Sequence, residues 1–142
     1  MKNLSRIALV LGSSTLFVSS VALAAEKLPN GTYGDPNVAT FVESNSGASI
    51  EWACEAAKFD GAIRIESGGT FESTGFYGSP LQAESSWTPV LMTGKLIEGS
   101  CTARGVCFPN TIQVTLRNEK TGGKIGSWTF EEGAAGVSFQ CR

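Results

Sequence analysis

The chain has 142 residues, four cysteines, no histidine and a formal net charge of −2 at pH 7, a length that suits one domain with one core. Without His, the commonest general base, Ser-His-Asp and Cys-His arrangements and most zinc sites are excluded. The charges are scattered, with no basic stripe or cluster, which excludes nucleic acid and anionic lipid as partners on electrostatic grounds.

Residues 1–24 read as a signal peptide. Lys2 and Arg6 form a positive n-region, an apolar stretch runs from Ile7 to Ala24, and Ala22-Leu23-Ala24 supplies the small-x-small pattern of a cleavage site. Gly12, Ser13, Ser14, Ser19 and Ser20 interrupt the stretch, which argues against a retained anchor, since a spanning helix needs about 20 largely apolar residues. No Cys lies near Ala24 to carry a lipid, and no later segment is long and apolar enough to span a bilayer. The expectation is a periplasmic or secreted protein, with residues 25–142 forming a single domain and no membrane anchor after cleavage. Lys2 and Arg6 leave with the signal, so nine of the 11 basic side chains face 13 acidic ones.

The mature segment carries almost no helical periodicity. Short runs alternate apolar and polar residues and are broken by Gly, Asn, Asp and Ser, the pattern of half-buried strands. A first strand is expected near Val38 to Val42, where Val38, Thr40 and Val42 compete with Ala39 and Phe41 for the inward face. Ile50, Trp52 and Cys54 give a second strand, and Ile63 with Ile65 a third. A Ser67-Gly68-Gly69 turn precedes a fourth with Phe71, Ser73, Gly75 and Tyr77 on one face, and Met92, Gly94 and Leu96 form a fifth. Ile112, Val114 and Leu116 alternate cleanly as the sixth; Trp128 with Phe130, then Val137 with Phe139 and Cys141, complete the set.

Eight short strands joined mostly by hairpins predict an all-β, antiparallel up-and-down meander. Closing it into a small barrel removes the two exposed edges, and Gly75 and Gly94 suit the bends this requires. A two-sheet β-sandwich is the alternative. The expected core is Ile50, Trp52, Ile63, Ile65, Phe71, Met92, Leu96, Ile112, Val114, Leu116, Trp128, Phe130, Val137 and Phe139.

Four cysteines in an exported chain predict two disulfides. Of three formal pairings, spacing favours Cys101 with Cys107, which leaves Cys54 with Cys141. Strand parity puts Cys54 and Cys141 at one end of the barrel and the Cys101–Cys107 loop at the other. One obstacle is distance. The strands bearing Cys54 and Cys141 would both flank the first strand, about 9 to 10 Å apart, whereas a disulfide tolerates Cα atoms only about 7 Å apart. The first strand must then be short or displaced at that end.

Several segments occur in this order in a family of small exported bacterial proteins. They are Gly31-Thr32-Tyr33-Gly34, Ile50-Glu51-Trp52-Ala53-Cys54, Phe59-Asp60-Gly61, Phe71-Glu72-Ser73-Thr74-Gly75-Phe76-Tyr77, Thr93-Gly94-Lys95-Leu96, Gly126-Ser127-Trp128-Thr129-Phe130 and Phe139-Gln140-Cys141. The chain resembles that functionally uncharacterised family over nearly all of the mature segment. Its members often carry a lipoprotein Cys that this chain lacks, and the Cys101/Cys107 pair looks like an addition. The resemblance supports the fold and the Cys54–Cys141 pairing and implies no activity. The Gly-Thr-Tyr start is also similar to the first strand of avidin-like and lipocalin-like barrels, a likeness of fold alone.

With the cysteines oxidised, thiolate chemistry and Cys-metal ligation are gone too, so neither a cofactor nor a metal is expected. Glu51, Asp60 and Glu72 are the acids nearest the strand framework, and alternation turns Glu51 and Glu72 outward into solvent. The expected function is therefore a non-enzymatic binding module, a monomer that holds a small apolar ligand or docks an envelope partner. An eight-stranded barrel can either fill with side chains or hold one small ligand. Trp52, Tyr77, Trp128 and Phe130 are the candidate pocket lining, against the reading that they only fill the core. Arg104 and Gly105 in the closed Cys101–Cys107 loop are the candidate partner loop. They would suit a protease inhibitor aimed at a trypsin-like cleft, against a loop merely stapled for resistance to proteolysis. Trp87 is a further candidate anchor for a partner, against folding under its own loop.

Overall fold

A computed structural model of the chain describes residues 25–35, 39–136 and Cys141. The expected signal peptide, Val38, Val137 and Phe139 lie outside the described residues. Among the described residues ten strands form: β1 (Glu26–Lys27), β2 (Gly31–Asp35), β3 (Ala39–Ser44), β4 (Gly47–Trp52), β5 (Glu55–Asp60), β6 (Arg64–Ile65), β7 (Thr70–Gly78), β8 (Thr88–Ile97), β9 (Thr111–Asn118) and β10 (Lys124–Glu132). Eight of them close an antiparallel barrel in the order β10-β2-β3-β4-β5-β7-β8-β9, which is the up-and-down meander without a crossover. β1 and β6 pair only with each other.

The barrel therefore has the expected strand number with two different members. β2 and β5 are barrel strands that alternation does not announce, because GTYGD and EAAKFD offer few large apolar residues. Ile63 and Ile65, expected as a barrel strand, instead belong to the plug described below.

Inside, alternation holds. Ile50, Met92, Ile112, Leu116 and Phe130 are fully buried, joined by Tyr33, Phe41 and Phe59 from the less obvious strands. Leu96 is only half-buried, at the barrel's edge. In β3 the competition for the inward face goes to Ala39 and Phe41, leaving Val42 39 % exposed. The outer face carries Glu72, Lys95, Gln113, Arg117 and Ser127 in the open. An apolar interior and a polar exterior are the reverse of a lipid-embedded barrel.

One end of the barrel is sealed. The β1–β6 ladder brings Leu28, Ile63 and Ile65 across the opening, where they are at most 7 % exposed. Three contacts stitch this plug down: the Tyr33 hydroxyl donates to the Pro29 carbonyl (3.0 Å), the Ile63 N–H donates to Glu43 Oε1 (3.1 Å), and Lys27 donates to Asn45. Glu43 is the one buried charged residue among those described, 2 % exposed, and its Oε2 has no hydrogen-bond partner. Burial pushes its carboxyl above the ordinary 4.5, opposed by the Ile63 N–H and the Lys27 charge.

The opposite end holds the Cys54–Cys141 bridge, with Cα atoms 5.4 Å apart. The expected distance obstacle does not arise, because neither cysteine sits in a barrel strand. Cys54 lies in the two-residue turn between Trp52 and Glu55, and Cys141 lies outside any strand. A short strap, residues 134–136, passes over the outer faces of Gly34 and Thr40, so closely that a Cβ on Gly34 would stand 2.5 Å from the Ala134 carbonyl oxygen. Cys101 and Cys107 pair as expected, at the other end of the barrel.

Two outcomes follow. Glu43 holds its proton more tightly folded than unfolded, so the folded state gains as pH falls from above the folded value towards 4.5, and gains nothing further below it. Urea midpoints at pH 7 and pH 5 should show this gain in wild type relative to Glu43→Gln, with the variant the more stable of the two at pH 7. In the β4–β5 turn, Ala53 and Cys54 both adopt positive φ (37° and 63°), the type I′ geometry that favours Asn or Gly. Ala53→Asn should raise stability by roughly 0.5 to 1 kcal/mol in thermal unfolding.

Candidate functional site

The four residues singled out as a pocket lining do meet. Tyr77 stacks on Trp52 (centroids 5.5 Å apart, planes 8° apart), Trp52 contacts Trp128 at 4.8 Å, and Trp128 contacts Phe130 at 6.3 Å. The series then continues through Phe41 and Tyr33, each step 5.8 Å. Six rings thus form one continuous series of contacts. Each such ring pair contributes about 0.5 to 1.5 kcal/mol beyond burial.

Both ends of the ring series are tied. At the plugged end Tyr33 holds Pro29; at the other, the Tyr77 hydroxyl donates to Glu55 Oε1 (2.6 Å). Burial is the main reason both phenols are pushed up to about 12. The charges of Glu132 and Glu43 add to this at Tyr33, and the Glu55 hydrogen bond and charge add at Tyr77. Neither phenol is a proton donor or acceptor of use near neutral pH.

At the Tyr77 end the column meets the surface in a cleft of about 280 Å³. Trp52, the Cys54–Cys141 bridge, Pro80, Leu81, Glu51 and Glu55 line it. Leu81 is 65 % exposed, the most exposed large apolar side chain of those described. Sequence reasoning found Trp52 and Tyr77 but missed Leu81, since the segment between β7 and β8 carries no alternation.

The candidate partner residues do not form one surface. Trp87 and the Arg104 loop sit at opposite ends of β8, whose ten residues span about 33 Å. Trp87 is 7 % exposed, packed against Gly78 so tightly that any side chain there would collide with the indole, and the Lys58 ammonium lies over its ring at 5.3 Å. It is buried by its own loop and neighbours and offers no free anchor. Arg104 and Gly105 are exposed, as expected of a loop tip. Arg104, however, sits inside a tight turn. Gly105 N–H donates to the Thr102 carbonyl (2.9 Å), and Thr102 N–H donates to the Val106 carbonyl (2.7 Å). A protease cleft pairs with an extended strand, and this backbone is already paired with itself.

Gly78→Ala should displace Trp87 and cost about 1 to 3 kcal/mol, readable as a lowered Tm with a shift in tryptophan emission. No protein-family model, curated protein or solved structure matches the chain.

Proposed function

We propose that this chain is a non-enzymatic binding module of the periplasm or secreted fraction, holding one small apolar molecule in the cleft at the barrel mouth. The observation that carries the reading is that the exposed Leu81 and Trp52 line one cleft of about 280 Å³, just under the usual range of about 300 to 1,000 Å³ for small-molecule sites. A single aromatic ring or a short alkyl chain matches that volume; a long acyl chain does not. Glu51 and Glu55 in the same lining favour a guest whose polar end donates hydrogen bonds.

Chemistry supports the non-enzymatic part. The chain has no His, both cysteine pairs are oxidised, and the carboxylate with the raised pKa, Glu43, is sealed behind the plug. Two disulfides are compatible with an oxidising compartment. The periplasmic or secreted location is the finer reading that the Lys2-to-Ala24 segment suggests.

The test is an NMR titration of the mature protein with single-ring aromatics and short-chain alcohols, followed at the Trp52 indole N–H. Saturable shifts are expected. Leu81→Asp should abolish them while leaving stability within about 0.5 kcal/mol, because Leu81 is mostly in solvent already. Equal binding by Leu81→Asp, or no saturable shift with any probe, removes the mouth cleft as the site.

A further inference from the structure

A second surface lies on the outside of the barrel, away from the mouth cleft, across β5, β7 and β8. Lys58, Phe76 and Pro89 are cross-strand neighbours there, and all point outward because Ala57, Tyr77 and Val90 beside them in sequence point in. Phe76 is 52 % exposed, a large aromatic in the middle of a sheet face where alternation calls for a polar residue. It borders two hollows, of about 340 and 360 Å³.

The first hollow is internally satisfied. Lys58 lies over the Trp87 ring and is ion-paired with Glu84, so a cation, an aromatic face and a carboxylate are all supplied by this chain. The second hollow repeats two of the three parts. It has the Phe76 ring and two exposed carboxylates, Asp60 and Glu119, with the Thr74 hydroxyl between strands, and no basic side chain among its lining residues.

We propose that this second hollow receives an arginine side chain presented by a partner protein. A guanidinium is flat, weakly hydrated and forked, so it stacks on an aromatic face while donating in its own plane to carboxylates. Asp60, Glu119 and Phe76 line the same hollow, so one guest there meets both the ring and carboxylates. A lysine ammonium can sit over a ring and meet one carboxylate, as Lys58 does with Trp87 and Glu84 beside this hollow, but it has no planar fork to stack flat while donating to two carboxylates. A neutral guest answers neither charge.

The experiment is an NMR titration of the isotope-labelled mature protein with three blocked tripeptides differing only at the central residue: arginine, lysine or citrulline. The arginine peptide is expected to give saturable shifts at Phe76, Asp60 and Glu119, with the lysine peptide about fivefold weaker and the citrulline peptide weaker still. Phe76→Ala, Asp60→Asn and Glu119→Gln should each weaken arginine binding, and all three sites are exposed enough for the fold to survive, checked by an unchanged amide spectrum elsewhere. Equal affinity for lysine would reduce the site to a generic acidic patch and overturn the proposal. So would equal affinity for citrulline, or the absence of saturable shifts up to roughly 10 mM arginine peptide. Because the mouth cleft lies on other residues, its own titration succeeds or fails separately.

Discussion

The seam between β10 and β2 is the constraint on which the rest of this barrel depends. A meander becomes a barrel only when its last strand meets its first, and that contact joins the residues furthest apart in sequence, so its closure entropy is the largest. Among the described residues the seam has two registered pairs, Glu131 with Gly34 and Glu132 with Tyr33, against eight across β8–β9. Two devices reinforce it. Gly133 donates to the Thr32 carbonyl as the chain leaves β10 and the strap lies over Gly34, and Cys141 is bridged to Cys54. In a chain-entropy account, a bridge closing 87 residues stabilises by about 4 to 5 kcal/mol. Gly34 is what lets the strap lie flat on the seam.

Closure in turn positions the ring series. Tyr33 comes from β2 and Phe130 from β10, on the two sides of the seam, and Phe41 connects them. The aromatic column is thus assembled from strands that meet only if the barrel closes. Packing of the rings and pairing at the seam reinforce each other, as expected of a sequence whose local and global preferences agree.

How much of this was legible depended on whether a strand carries large apolar residues. β7, β8 and β9 read directly because their inward positions hold Phe71, Met92, Ile112 and Leu116 between polar neighbours. β5 did not, because Ala56 and Ala57 are too small to mark a face and the turn before it is built from Ala53 and Cys54, neither a turn-forming residue by composition. Its conformation is held by the disulfide and the flanking ladder rather than announced by Gly or Asn. Ile63 and Ile65 alternated as a strand should, and they are buried; alternation does not say whether the surface they bury lies in the wall or across the opening. Among the described residues the barrel reaches eight strands with β2 and β5 as members that alternation did not mark, while positions 63–65 went to the plug. For the candidate site, the aromatic residues themselves were legible, but their mutual stacking was not, since it depends on strand register across half the barrel. Phe76 escaped notice for the opposite reason: its neighbours in sequence explain the strand without it.

The bridge between Cys54 and Cys141 also has a mechanical side. It converts everything from β5 to the strap into a covalent ring, leaving β1 to β4 as the only part of the described fold outside it. Tension applied between the two ends of the chain would run along the segment before Cys54, cross the sulfur bridge, and bypass β5 to β10. The load-carrying path is thus confined to β1 and the first three barrel strands, and β5 to β10 stay unloaded beyond the bridge. Such a path limits how much of the chain a pulling or threading force can extract.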